Sequence, residues 1–364
     1  MADLRIEQLL REMVKSKASD LHIRVGTPPI FRINGSLVKI FDTRIDPAMM
    51  DSFLDDIMNR DQKQRFETNK ECDFAVGARD MGRFRVNVFR QRGTIAVVIR
   101  HIKAKIPPFE ELGLPEVVKD LALTRRGLIL VTGTTGSGKS TTLASMLDYI
   151  NQNESVNIIT VEDPIEYLYN DNKAIISQRE LGVDTLSYAN ALRAALRQDP
   201  DVLLVGEIRD LETMAIALTA ADTGHMVFAT IHTTNATETI QRVLSMYPPH
   251  QHDEIRLLLA EVLAGIISLR LLPTKDGKGR VPAAEILVNT AAIKEYIKDK
   301  LAMVETAIAE GHMQYHSQTF DQSLLELYNE EKISLDVALN AATNRDDFEL
   351  KIRGITGTSE RGWM

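Results

Sequence analysis

Apolar residues fall at helical spacing over residues 4–17, where Leu4, Leu9, Leu10, Met13 and Val14 share one stripe. The period then switches to two in Ser19-Asp20-Leu21-His22-Ile23-Arg24-Val25, so a helix followed by a strand is predicted. Phe31-Arg32-Ile33 and Leu37-Val38-Lys39-Ile40 flank Asn34-Gly35-Ser36, a hairpin signal because Asn and Gly accept the positive φ of tight turns. Arg83-Phe84-Arg85-Val86-Asn87-Val88 alternates strictly, Arg90-Gln91-Arg92-Gly93 turns, and the stretch from Thr94 to Ile102 is β-rich. Together these predict a small α+β domain over residues 1–105. Ile106-Pro107-Pro108 and Leu112-Gly113-Leu114-Pro115 then read as a stiff, helix-breaking linker over 106–118.

From residue 119 to 289 short apolar strands alternate with helical patterns. The strands are Leu128 to Val131, Ile158 to Val161, Val202 to Val205 and Val227 to Ile231, the rhythm of a parallel sheet wrapped by helices. The predicted class is therefore α/β for the core, preceded by the α+β domain. The apolar stretch from Leu257 to Leu272 carries Glu261 and Arg270, which makes it too short and too charged to span a bilayer, and it reads as a core helix. Over 290–364 the pattern is purely helical, with Ile293, Tyr296, Ile297, Leu301, Val304 and Ile308 in register.

Composition adds limits. A chain of 364 residues, 44% hydrophobic and 26% charged, suits two globular domains and no disordered class. Its sole cysteine, Cys72, excludes a disulfide framework and a four-cysteine zinc module. The start, Met1 to Glu7, has acids where a signal peptide needs a basic region, so a cytoplasmic protein without membrane insertion is expected. A formal net charge of −8 disfavours nucleic acid as partner, because phosphate neutralisation wants a basic surface.

The strongest chemical signal follows Leu128-Ile129-Leu130-Val131. Gly133-Thr134-Thr135-Gly136-Ser137-Gly138-Lys139-Ser140 matches G-x-x-x-x-G-K-[ST] at every specified position. A glycine-rich loop between a strand and a helix turns backbone N–H groups toward phosphates, and the helix adds its positive end. Lys139 would then meet the β/γ-phosphates of a nucleotide and Ser140 the Mg²⁺, with Thr141 next in line.

Three further motifs sit beside predicted strands, at the edge where parallel sheets place their ligands. In Thr160-Val161-Glu162-Asp163-Pro164, Glu162 could orient and deprotonate an attacking water while Asp163 holds a metal-bound water; the alternative is a solvated acidic turn. In Asp199-Pro200-Asp201-Val202-Leu203-Leu204-Val205-Gly206-Glu207-Ile208-Arg209-Asp210 an apolar strand delivers Glu207 for Mg²⁺ or for polarising water, unless Glu207 merely caps the helix near Asp210. In Thr223-Gly224-His225 through His232, the second histidine lies past a strand and could sense the γ-phosphate, whereas His225 lies before its start.

Taken together, Ser19-Asp20-Leu21-His22, Arg83-Phe84-Arg85, Glu111-Leu112-Gly113-Leu114-Pro115, the phosphate loop, the acidic box at 160–167, the strand ending at Glu207 and the histidine box at 224–232 resemble the secretion-superfamily hexameric ATPases. The resemblance is greatest to the pilus-retraction ATPases of the PilT/PilU type. It implies a PAS-like amino-terminal domain, a RecA-like core and a homohexameric ring with ATP between neighbours. It further implies work at the inner-membrane pilus platform, with a paralogous retraction ATPase as a further partner. By the same resemblance Lys139 and Ser140 take the phosphate and Mg²⁺ positions, Glu162 the catalytic acid, Glu207 the Walker B acid, and Arg85 and Arg100 reach the nucleotide from the amino-terminal domain. Where that family carries an AIRNLIRE-like stretch, this chain reads Ala292-Ile293-Lys294-Glu295-Tyr296-Ile297-Lys298-Asp299, with lysines for both arginines, a feature similar to the accessory branch. Assembly ATPases, which usually carry a four-cysteine module, a nucleotide-gated scaffold and a nucleic-acid translocase are the competing readings.

Overall fold

The computed structural model describes residues 4–33, 35–78, 81–102 and 106–353. Asn34, the first residue of the expected hairpin turn, and residues 1–3, 79–80, 103–105 and 354–364 lie outside the described residues. The chain divides into two compact units, one up to residue 105 together with 166–168, the other comprising the rest from 106.

The first unit is a six-stranded antiparallel sheet with helices on one face. Its elements are α1 (Ile6–Lys15), β1 (Asp20–Arg24), β2 (Ile30–Ile33), β3 (Ser36–Lys39), α2 (Pro47–Ile57), α3 (Arg60–Asn69), β4 (Glu71–Ala78), β5 (Gly82–Gln91) and β6 (Thr94–Ile102). The strand order is β3-β2-β1-β6-β5-β4. Alternation decides the faces: Leu21, Ile23, Phe31, Phe74, Phe84, Val86, Val88, Val97 and Ile99 point to the three helices and form one core with Leu9, Met13, Met50, Phe53 and Phe66. Helix α2 starts where Asp46 accepts from the Met49 N–H and Pro47 needs no donor of its own. Sequence periodicity missed α2, α3 and β4, whose apolar stripes are short and interrupted by charge.

The second unit opens with α4 (Val117–Ala122), β7 (Gly127–Thr132), α5 (Lys139–Asn153), β8 (Asn157–Glu162), β9 (Ile175–Glu180), α6 (Tyr188–Ala195), β10 (Val202–Val205), α7 (Leu211–Asp222) and β11 (Met226–Ile231). It continues through α8 (Ala236–Ser245), α9 (His252–Val262), β12 (Leu263–Pro273), β13 (Arg280–Val288) and α10 (Ala291–Asp299). Five further helices close it: α11 (Val304–Glu310), α12 (His312–Tyr315), α13 (Phe320–Asn329), α14 (Leu335–Ala341) and α15 (Arg345–Ile352). The sheet order is β13-β12-β7-β11-β10-β8-β9, parallel throughout except for the antiparallel β12–β13 pair. Cores lie on both faces, one reaching α6 to α11 and the other α4 and α5. This is why the central strands read as unbroken apolar runs. Phe109, Val117 and Val118, from the stretch expected as a linker, pack into the second of these cores. Among the described residues no helix is long and apolar enough to cross a membrane.

One expectation changes. The stretch from Leu257 to Leu272 is not one helix: α9 ends at Val262 and the chain passes directly into β12. Burial of β12 on both faces erases the alternation that would have revealed it. Gly265 allows the close approach, since a Cβ there would lie 2.9 Å from the Leu287 carbonyl oxygen. Helix α10 turns inward, with Ile293 and Ile297 almost fully buried against α9, so its apolar stripe is core.

Candidate active site

The phosphate loop joins β7 to α5. Thr132, the last strand residue, is buried and donates its hydroxyl to Ser268 Oγ on β12 at 2.9 Å. Gly133 has φ +136°, and a Cβ there would meet the Leu269 carbonyl oxygen and Ser137 Oγ at 2.5 Å each, so both conformation and space require glycine. Gly136 and Gly138 are left-handed as well. Thr134, Thr135 and Gly136 stand exposed at the loop's crest, while Ser137 is buried. Helix α5 begins after Gly138 with no side-chain cap, so its first-turn N–H groups and positive end face the loop. Lys139 is only 8% exposed, and its ammonium donates to the carbonyls of Gly133 at 2.8 Å and Thr134 at 3.0 Å. Ser140 and Thr141 follow on the first turn. Curled backbone donors with one lysine and a flanking hydroxyl form an anion cradle, and this one is shaped for a polyphosphate.

The sheet order β7-β11-β10-β8 makes the carboxyl ends of adjacent strands one continuous edge, with neighbours about 4.8 Å apart. Glu162 closes β8 and accepts from the Thr160 hydroxyl at 2.7 Å and the Gln178 amide at 3.1 Å. Exposed Asp163 follows it. Glu207 lies two residues past β10, where one oxygen accepts from Arg209 at 2.6 Å and the other sits 3.3 Å from His232 Nε2. The Arg209 hydrogen bond, aided by His232, holds the Glu207 carboxyl below the usual range against the opposing effect of burial. Glu207 is thus ionised at neutral pH, fit to orient water or a cation rather than to carry a proton. His232 stands just past β11, and the neighbouring strands are pinned where the Thr230 hydroxyl donates to the Gly206 carbonyl at 2.5 Å. Carboxylate and hydroxyl oxygens at Glu207 and Ser140 are a donor set that suits Mg²⁺.

Two participants escaped the sequence reading. Arg209 takes no role in the sequence reading, although its spacing from Glu207 signals an ion pair. Tyr188, at the start of α6, carried no local signal. Its hydroxyl lies 3.0 Å from where a Cβ on Gly206 would stand. Burial, then the carboxylates of Asp163, Glu207 and Glu162, push its pKa upward, so it remains a neutral phenol.

Three other expected residues lie elsewhere. His225 precedes β11, beside the start of β7, and its ring nitrogen Nδ1 is 2.9 Å from the Ala220 carbonyl. Six strand residues, about 20 Å, separate that edge from the phosphate loop, so the structure does not bring His225 to the cradle of its own chain. Arg85 and Arg100 belong to the first unit and face each other across β5 and β6 on the face opposite its helices. Arg100 Nε donates to Asp20 at 2.8 Å. Burial alone would raise the Asp20 pKa, but hydrogen bonds from Ser19 and Arg100 hold it below its ordinary value.

A parallel core sheet with a phosphate loop at its carboxyl edge and an ordered row of histidine and carboxylates beside it defines a P-loop ATPase. The chain belongs to the type II/IV secretion system protein family, whose pattern it matches over residues 2–341. Two curated relatives come from Pseudomonas aeruginosa. The type IV pilus ATPase PilU is 41% identical over 96% of this chain and 92% of its own length. The type IV pilus retractation ATPase PilT is 44% identical over 94% and 99%. Among solved structures, that of the pilus retraction motor PilT with bound ADP aligns with a TM-score of 0.89 and 46% identity, covering 95% of this chain and 99% of the other.

Proposed function

We propose that this chain is the ATP-hydrolysing motor of type IV pilus retraction, working as a ring at the cytoplasmic side of the inner-membrane pilus platform. The observation that carries the hydrolytic part is Glu207, held ionised between Arg209 and His232 on the edge that also bears the phosphate loop. In this reading residues 119–289 form the RecA-like core, residues 1–105 the PAS-like domain, 106–118 the linker and 290–364 a helical region. Gly133 to Thr141 bind the phosphates of ATP, Lys139 neutralising the β/γ pair. Glu162 orients and deprotonates the attacking water, Asp163 holds a second water, and His232 senses the γ-phosphate from beside Glu207. Mg²⁺ would be held by Ser140 with Glu207 nearby, and its chemistry there is to offset charge on the transferred phosphoryl. Arg85 and Arg100 complete the site of a neighbouring subunit.

A second reading is an accessory retraction ATPase that helps a paralogue. It is favoured by Lys294 and Lys298 on the outer side of α10, where arginines are expected for a main motor. Deleting the gene and scoring surface pili and twitching separates the readings. Abundant pili without twitching support the main motor, retained twitching supports the helper, and bald cells would overturn both in favour of assembly.

A further inference from the structure

Glu285 is a carboxylate almost wholly buried in the second unit, 6% exposed, and the hydrolytic roles above do not use it. It lies on β13 opposite Ser268 of β12, and Ser268 accepts from Thr132 immediately before the phosphate loop. On its other side Glu285 Oε1 accepts from the backbone N–H of Ala236 at 2.7 Å. Ala236 is the first residue of α8, four positions after His232. The helix's next needs are met locally, by Asn235 accepting from the Glu238 N–H at 2.8 Å and Glu238 accepting from the Thr234 N–H at 2.7 Å. The first N–H alone among these is met from a separate strand. Burying a carboxylate is costly unless donors meet it, so this one ties two elements that the sequence keeps 49 residues apart. Arg270, two residues along β12 on the same sheet face, stacks on Phe320 at 3.8 Å and donates to the Ala341 carbonyl, joining that face to α13 and α14.

We propose that Glu285 is a positioning residue of the ATPase site: by clamping the first N–H of α8 to the strand pair that supports the phosphate loop, it sets the Thr233–Asn235 turn that holds His232 on Glu207. The inference rests on the reading of His232 as a member of the hydrolytic site. Losing the clamp lets the turn drift, so the loss appears in kcat while the cradle keeps its KM for ATP.

Full-length assembled protein is assayed for kcat and KM with Glu285→Leu, Glu285→Gln and Ala236→Pro, each alone and combined with His232→Ala. Glu285→Leu removes the acceptor. Ala236→Pro removes the donor at a position where proline suits a helix, after an extended Asn235, and so tests the same bond if the leucine variant fails to fold. Glu285→Leu and Ala236→Pro should each lower kcat about tenfold with KM within about twofold, as expected when a catalytic group is no longer held in its working geometry. In the His232→Ala background either should add less than about twofold. Glu285→Gln, which keeps an acceptor oxygen, should retain kcat within about twofold. Additive losses in the His232→Ala background, or a glutamine variant as slow as the leucine one, would overturn the positioning role. Wild-type turnover in His232→Ala alone would instead remove the site reading on which it stands.

Discussion

Lys139 carries its charge into a loop whose carbonyls already hold the ammonium in place. Lys139→Ala should therefore abolish ATP turnover while nucleotide binding, which the backbone cradle supplies, weakens less; parallel hydrolysis and binding assays check this, and unimpaired turnover would remove the loop from the active site. Glu162→Ala and Glu207→Ala should keep binding but lose hydrolysis by about 10²-fold or more, since in the proposed site one carboxylate activates the attacking water and the other orients water or a cation. Single-turnover rates within about twofold of wild type would deny both carboxylates their role. Glu285 yields a pH signature of stability. Burial pushes its carboxyl from an ordinary 4.5 up to about 7, the Ala236 N–H and Arg270 opposing and Glu305 and Asp321 adding to the rise. A folded pKa above the unfolded one means the folded state binds more protons between those values, so this group's contribution to stability falls as pH rises from about 4.5 to 7. Glu285→Gln should flatten that slope in urea unfolding series, becoming relatively more stable above pH 7; parallel curves would contradict the assignment.

At the scale of elements, local pattern alone was enough for part of the fold. Helix α1, strands β1, β5 and β6 and the four central strands of the large sheet appear where alternation or apolar runs predicted them. The strand pair β12–β13 did not, because burial on both sides gives β12 a continuous apolar run, and such a run does not distinguish strand from core helix. The placement of the phosphate loop, Glu162, Glu207 and His232 along one sheet edge was legible because each lies in a contiguous motif. Tyr188 and Glu285 were not, since each reaches its partners only through tertiary packing. Helix α10 shows what this difference predicts. Ile297 is fully buried, so Ile297→Ala should cost roughly 2–5 kcal/mol in unfolding experiments. Lys294 and Lys298 are half-buried and pair with exposed Glu261, and since such exposed pairs contribute little, their replacement by alanine should leave the unfolding midpoint nearly unchanged. If twitching then fails while ATP turnover persists, the outer face of α10 serves an effector; unchanged twitching would leave α10 a packing element only.

At the scale of the whole molecule, the proposed function divides the chemistry between the two units, since the phosphate loop lies in the second and Arg85 and Arg100 in the first. A phosphoryl group in transfer is stabilised by a planar cation on its equatorial oxygens, and Arg209, the guanidinium beside Glu207, is already engaged by that carboxylate. On the proposed ring, the first unit of one subunit answers that need for its neighbour. Activity should then rise steeply with protein concentration as rings assemble. Arg85→Ala or Arg100→Ala should stop hydrolysis without unfolding the chain, by as much as 10³-fold or more if either acts as a finger. Asp20 gives the arginine test a control: it holds Arg100 at 2.8 Å, so Asp20→Asn should weaken hydrolysis less than Arg100→Ala does, because the guanidinium remains. The sharper experiment mixes Arg100→Ala with Lys139→Ala subunits. Each variant keeps the half that the other lacks, so mixed rings contain some intact interfaces and should regain part of the lost turnover. Co-assembly without any regain would place the arginines' action within one chain, and the division of labour between neighbours would be wrong.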